Sequence, residues 1–497
     1  PHPCRSYPGG LPSTCTASPP AGGEPVPKPP ETLEPGPAFG TVASNALTPP
    51  APEDWPMYRR DPRRSGSTGT AVADRPRTRW SVRLSAPLTP PVVARGTLLA
   101  AEKDAHTIRA LDVADGRERW HFTADARIDS PPTVTGSLVF FGSADGRVYC
   151  LKLADGREVW RFQAAPADRQ VGAFGQFESA WPVHGSVVVQ NDVTATPPRP
   201  LVYFTAGRST YLDGGLFAYA LDPLTGAVVH RNRLDGPRPD PFTDQGGAGY
   251  MDGAKTDILV SDGADLFLHQ ERFRSDLERF PAPMEGRQRE GGGYRLYEPH
   301  PERGSNAMRL LSSRGFLDDS YNEGTYWAFT QRWPGWDRHM NRIGAWGQLL
   351  VFDAGHVFGV NVFTERIRVR RGFFPGAGGY RVFAKPYRPG QDEKDYKKTK
   401  DTWSVRIPVR VRAMVLAGDT LFVAGPPDAI PEDDPAAAFE GRLGGELRAL
   451  SATDGTTLAV LERLAAPPVY DGLIAANGAL YLTTTDGSVH CFGTQDE

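Results

Sequence analysis

The sequence predicts an all-β ring of four-stranded blades, a single β-propeller, and three observations predict it. Trp80, Trp120 and Trp160 stand 40 residues apart, in the matched contexts Arg77-Thr78-Arg79-Trp80, Arg117-Glu118-Arg119-Trp120 and Arg157-Glu158-Val159-Trp160. Asp115-Gly116 and Asp155-Gly156 precede the second and third tryptophans at one offset. Glycine (54) and proline (47) make about a fifth of the 497 residues, more turn formers than a helical chain carries. A fixed period of this length marks a repeat architecture before any motif is sought.

Within one repeat, Pro132 to Thr135, Leu138 to Gly142, Arg147 to Leu153 and Glu158 to Phe162 predict four short strands. The breaks fall at Gly136, Asp145-Gly146 and Asp155-Gly156, where glycine supplies the positive φ that tight hairpins require. Such a blade has two apolar faces and cannot cover both alone, so copies stack in a ring. Ala220-Leu221-Asp222-Pro223-Leu224-Thr225-Gly226 and Ala449-Leu450-Ser451-Ala452-Thr453-Asp454-Gly455 are fainter copies of Ala110-Leu111-Asp112-Val113-Ala114-Asp115-Gly116.

Pro468 to Phe492 supplies three strands and stops, whereas Thr78 to Leu84 is an orphan fourth strand ahead of the first unit. Pairing the two closes the ring and leaves no exposed edge. The blades then run about 88–125, 126–165, 178–236, 250–316, 317–400, 401–465 and 466–492 with 78–84. That count is seven, with eight as the alternative. Residues 1–54, rich in proline and small residues, predict a tail or linker ahead of a propeller over 55–497, with insertions near 271–305 and 385–402.

A net charge of −3 removes the electrostatic drive for nucleic-acid binding, and no apolar run approaches the ~18 residues of a membrane span. The four cysteines, at 4, 15, 150 and 491, cannot build a multi-cysteine metal site. Cys4 and Cys15 either close a loop in an oxidising compartment or stay free. No metal site is expected. Glu118-x-x-His121 lies on a fourth strand, where residues three apart are expected on opposite faces.

The unit Ala-Leu-Asp-x-x-Thr/Asp-Gly-x-x-x-Trp resembles the repeat of pyrroloquinoline-quinone-like (PQQ-like) β-propellers, a superfamily of quinoprotein alcohol dehydrogenases and outer-membrane assembly propellers. Asp54-Trp55-Pro56-Met57-Tyr58 followed by Arg64-Ser65-Gly66 resembles the lead-in of exported bacterial members. The resemblance implies a periplasmic or extracellular protein. It also implies, for the dehydrogenases, eight blades, a disulfide between adjacent cysteines over the quinone, and calcium ligands. The chain has no Cys-Cys pair and seven apparent blades, so no cofactor is expected, neither quinone nor calcium.

In a propeller the connection leading into each first strand and the loop between second and third strands share one face, around the channel mouth. Mapped onto that face, the sequence offers His184, Tyr211 and Arg208 as candidate catalytic residues. Candidate binding residues are Trp181, Asp213, Asn322, Glu323, Tyr326, Trp327, Trp336, His339 and Arg342, with Asp104 and His106 from the first blade. Each has a structural alternative: the tryptophans as wedge packing, His184 as a buried hydrogen-bonded side chain. Aromatic faces beside Arg, Asn and Asp suit a glycan. The first expectation is an exported propeller binding a polymer, such as an acidic polysaccharide, or a protein partner. The alternatives are a lyase of acidic glycans and a quinone- or metal-dependent oxidoreductase.

Overall fold

The structure, a computed structural model, describes residues 32–85, 87–210, 212–234, 258–268, 271–280, 284–287, 296–299, 307–312, 315–316, 327–331, 344–361 and 379–494. Its blade sheets number eight, the alternative left open by the repeat. They occupy 92–123, 133–163, 188–234, 259–273, 309–347, 349–407, 413–464 and 468–493, the last completed by Arg77–Arg83. Blades four and five show three strands each among the described residues. The stretch 317–400, read as one blade, spans parts of two, because Leu349–Phe352 opens a new sheet and carries no tryptophan signature.

Ring closure follows the orphan-strand prediction: Trp80 pairs with Cys491 and Val82 with Val489. The second blade also matches, with strands at Thr133–Thr135, Leu138–Gly142, Arg147–Lys152 and Glu158–Gln163. Two boundaries differ from the sequence reading. Residues 32–54, expected to belong to a tail, lie on the ring: Thr32–Pro35 adds a fifth strand to blade two and Ala38 is fully buried. Glu271–Phe273, placed in an insertion, is the third strand of blade four, and the 385–402 insertion folds into a short helix, Glu393–Lys398.

Blades adhere through a repeated contact. Trp80, Trp120, Trp160 and Trp403 each donate Nε1–H to a carbonyl in the turn before the fourth strand of the next blade: Val113 at 2.9 Å, Leu153 at 2.8 Å, Pro223 at 3.0 Å and Ala452 at 2.8 Å. Each indole lies on the turn glycine, so a Cβ on Gly116, Gly156, Gly226 or Gly455 would come within 2.7, 2.5, 2.9 or 2.5 Å of the ring. The glycine therefore serves twice, adopting positive φ and admitting the neighbour's indole. The apolar clusters likewise draw on adjacent blades: Trp160 and Phe162 of the second pack with Phe204 and Tyr219 of the third.

A bulge precedes Trp80, Trp120 and Trp160. Ala110 faces Trp120 but Leu111 faces Glu118, leaving Arg119 as the extra residue. That extra residue overturns the expectation for Glu118 and His121: they share a side of the strand, and Glu118 Oε1 meets His121 Nδ1 at 2.7 Å.

The lead-in segment fills the channel. From Glu53 to Thr68 it touches every blade. Trp55 bridges to Val93 of blade one, and Val134 N–H of blade two donates to Pro56 O at 2.7 Å. Arg64 donates to Ser186 Oγ ahead of blade three (2.6 Å) and to Leu259 O of blade four (2.9 Å). The Arg59 guanidinium lies 4.5 Å from the Trp327 ring of blade five, donates to Leu350 O of blade six and pairs with Asp471 of blade eight at 2.8 Å. Ser67 and Thr68 run parallel to Leu416 and Ala417 of blade seven. Both arginines are buried, and burial pulls Arg64 down to about 10, still a cation at neutral pH.

Replacing Gly156 by Ala forces a methyl against Trp120 at a backbone φ of +68°. We expect about 2–3 kcal/mol of lost stability in urea unfolding. Gly172→Ala, with nothing within 4 Å of the added carbon, should change stability by less than about 0.5 kcal/mol. Asp471→Asn strands the Arg59 charge in the channel and should cost about 3 kcal/mol by the same measurement.

Candidate functional site

Between the connections that lead into blades two and three lies a buried ionic network. Asp129, 4% exposed, accepts two hydrogen bonds from Arg127, at 2.8 and 3.1 Å, in the planar fork geometry of arginine. His184 Nδ1 lies 2.7 Å from the other side of the carboxylate, and since a carboxylate only accepts, the proton sits on Nδ1. His184 Nε2 looks toward Glu178 at 3.9 Å, and Glu178 in turn accepts from Arg208 at 2.8 Å. Two guanidiniums thus answer two carboxylates around one imidazole.

Over this network stands a hairpin, Gln170–Ala173 paired with Gln176–Ser179. Its two-residue turn is Phe174-Gly175, with φ of 51° and 75°, the primed-turn geometry that suits strand twist. An aromatic residue at the first of these positions is strained, at a cost of order 1 kcal/mol. Phe174 is nonetheless held there by the Arg127 guanidinium, 3.8 Å from its ring centre. Phe174 remains 59% exposed and Phe177 75%. The hairpin is pinned to blade one, where Gln176 meets His106 Nε2 at 2.6 Å and Asp104 O at 3.3 Å.

The sequence candidates divide cleanly. His184 and Arg208 come together at Glu178, while Trp181 donates Nε1–H to Asp213 O at 2.8 Å and Asp213 pairs with Arg169 at 2.9 Å. These four therefore share one corner of the mouth, joined by Asp104 and His106. Trp327 does not join them: it is 1% exposed, beneath Arg59. Tyr211, Asn322, Glu323, Tyr326, Trp336, His339 and Arg342 lie outside the described residues. Sequence reasoning missed Arg127, Asp129 and the hairpin tip. Gly175 between Phe174 and Gln176 was the available signal, but Phe-Gly is not a recognised hairpin dipeptide.

Burial alone would raise the Asp129 carboxyl, but the hydrogen bond and charge of His184, with Arg127, outweigh it and hold the group well below the usual carboxylate range. A depressed value contributes stability above the unfolded pKa, near ~4, that is lost as pH falls toward the folded one. Asp129→Asn should therefore cost about 3 kcal/mol at neutral pH, and urea unfolding should show the gap to the parent narrowing below about pH 4.

Three features bear on the quinone and calcium implied by the repeat. Eight blades remove one departure from the dehydrogenase pattern, yet no two cysteines are adjacent and the channel is filled by the lead-in segment with Arg59 and Arg64. Among the described residues, no three His, Cys, Asp or Glu side chains gather as metal ligands.

Comparison with known proteins gives the same architecture. A family model described as outer membrane protein assembly factor BamB matches residues 68–244. A europium-containing methanol dehydrogenase superposes with a TM-score of 0.50 at 12% identity, covering 89% of this chain and 98% of that one. A quinohemoprotein alcohol dehydrogenase from Comamonas testosteroni gives 0.49 at 15% identity over 91% of this chain and 82% of its own. BamB from Moraxella catarrhalis gives 0.43 at 13%, over 84% and 97%. No curated protein matches the chain. Identities this low speak to the fold and not to chemistry. The tryptophan laid on the next blade's Asp-Gly turn, the eight-bladed ring and the BamB-like match over residues 68–244 make this chain an eight-bladed β-propeller similar to the PQQ-like propellers.

Proposed function

We propose that this chain is an exported binding propeller that docks a protein partner on the loop-rich face of its ring. One observation carries the reading: Phe174 and Phe177 stand exposed on a hairpin whose base is fixed by buried ion pairs. Exposed aromatics on a rigid support lose little entropy on association and supply typical interface anchors. The second-to-third-strand loop of blade seven opens on the same face and carries Phe439, 64% exposed, and Ile430, 42% exposed. The matched family model describes an assembly factor, and export is proposed from that likeness. Within the described residues, no helix is long and apolar enough to cross a membrane.

Elimination on an acidic glycan would need a base within hydrogen-bond reach of substrate. His184 is fully buried and both its nitrogens face carboxylates, so we assign it a supporting role beneath the hairpin and not proton transfer.

The test uses the full chain against a displayed random-peptide library and, separately, alginate and polygalacturonate. Peptides enriched on the parent should lose about tenfold or more in capture with Phe174→Ser or Phe177→Ser. Val460→Ser, on an outer strand and 56% exposed, should leave capture unchanged. Equal capture by all three variants sinks the docking face; binding of the polysaccharides alone makes the occupant a glycan.

A further inference from the structure

Away from the hairpin, a cavity of about 270 Å³, open on one side, lies between blades four, five and six beside the channel segment. Its walls bring together two guanidiniums from distant parts of the chain, Arg63 of the segment and Arg309 at the start of a blade-five strand. Among the described residues neither forms an ion pair with a carboxylate. Arg63 is exposed, and its guanidinium lies 5.8 Å from the Phe352 ring. Arg309 donates one nitrogen to Gln331 O at 2.6 Å and lies 3.8 Å from the Phe267 ring, but its buried Nε has no hydrogen-bond partner. Burial, with Arg272 nearby, pulls Arg309 down to about 10, against the opposing pull of Asp262, Asp265 and Glu393.

Carboxylates are present in the wall, yet they are mostly spent. Asp265 is clasped by Arg272 through two nitrogens. Asp262 uses one oxygen to cap its own turn, accepting from the Ala264 and Asp265 amides at 3.0 and 2.8 Å, and keeps the other. Among the described residues of the wall, these two cations and the Arg272–Asp265 pair face one further carboxylate, Asp262, which leaves a single positive charge. A monoanion neutralises that charge, whereas a phosphate dianion would reverse it. Next to the cations, the spare oxygen of Asp262 invites a donor, and Phe352 offers an apolar wall.

We infer that this cavity binds a compact, hydroxylated monocarboxylate of about the size of one uronic acid unit, its carboxylate held between Arg63 and Arg309 and its hydroxyls donating toward Asp262. A volume just under the ~300 Å³ at which drug-sized pockets begin admits one such unit. Bidentate guanidinium-to-carboxylate bonds supply the strongest contacts, and ring C–H groups would lie against Phe352. The site is independent of the hairpin and stands or falls without it.

Isothermal titration of the full chain with galacturonate, galactose and inorganic phosphate tests this. Galacturonate should bind saturably, with galactose and phosphate each about tenfold weaker or more. Arg63→Met and Arg309→Met should each weaken galacturonate about tenfold or more; Arg117→Met, on a side chain 87% exposed elsewhere, should not. Urea unfolding checks Arg309→Met for folding, and if that variant fails, the exposed Arg63→Met decides. No saturable heat with galacturonate, or undiminished binding in Arg63→Met, overturns the site. Phosphate binding as tightly as galacturonate overturns the recognition of a hydroxylated acid.

Discussion

The ring depends on one contact made again and again: an indole edge that hydrogen-bonds into the next blade while its face lies on a glycine. Sheets packed face to face can slide, because dispersion is indifferent to small offsets. The directional Nε1–H bond removes that freedom, and the missing Cβ sets how closely neighbours approach. Spacing and tilt of the blades are thereby fixed locally, and a closed circle follows from repetition. The channel segment adds the radial counterpart, with Arg59 and Arg64 gathering carbonyls, a hydroxyl and one carboxylate from blades on several sides of the ring.

Function is built where this regularity lapses. Between blades two and three the connection lengthens into a hairpin, and its support is ionic where the blades are apolar. Buried ion pairs of this kind contribute little net stability compared with an oily core, but they tolerate few rearrangements. A tip held that way keeps its shape while presenting rings to solvent. Strain at Phe174 fits the same account: a residue that local sterics disfavour stays because its neighbours hold it.

How much of this was legible in the sequence depended on the range of the physics involved. The tryptophan period, the Asp-Gly turns and the closing strand are local and repeated, so the second blade was readable nearly to the residue. Glu118 and His121 were misread because strict two-residue alternation ignores a bulge. The channel segment was visible only as a family-like lead-in: it has no period, and its partners lie up to hundreds of residues away. Blades four to six lack the tryptophan signature in the described residues, apart from Trp403, and their boundaries blurred accordingly.

The pairing of Arg77–Arg83 with Ser488–Gly493 also bears on how the molecule is made. As the nascent chain leaves the ribosome, the Arg77–Arg83 strand is finished long before its partner exists, and the central arginines lack the acceptors of the later blades. Contacts of such long sequence separation form slowly. An unfinished ring would display raw strand edges during synthesis, so the chain has reason to be held open, or shielded by a chaperone, until Ser488–Gly493 arrives.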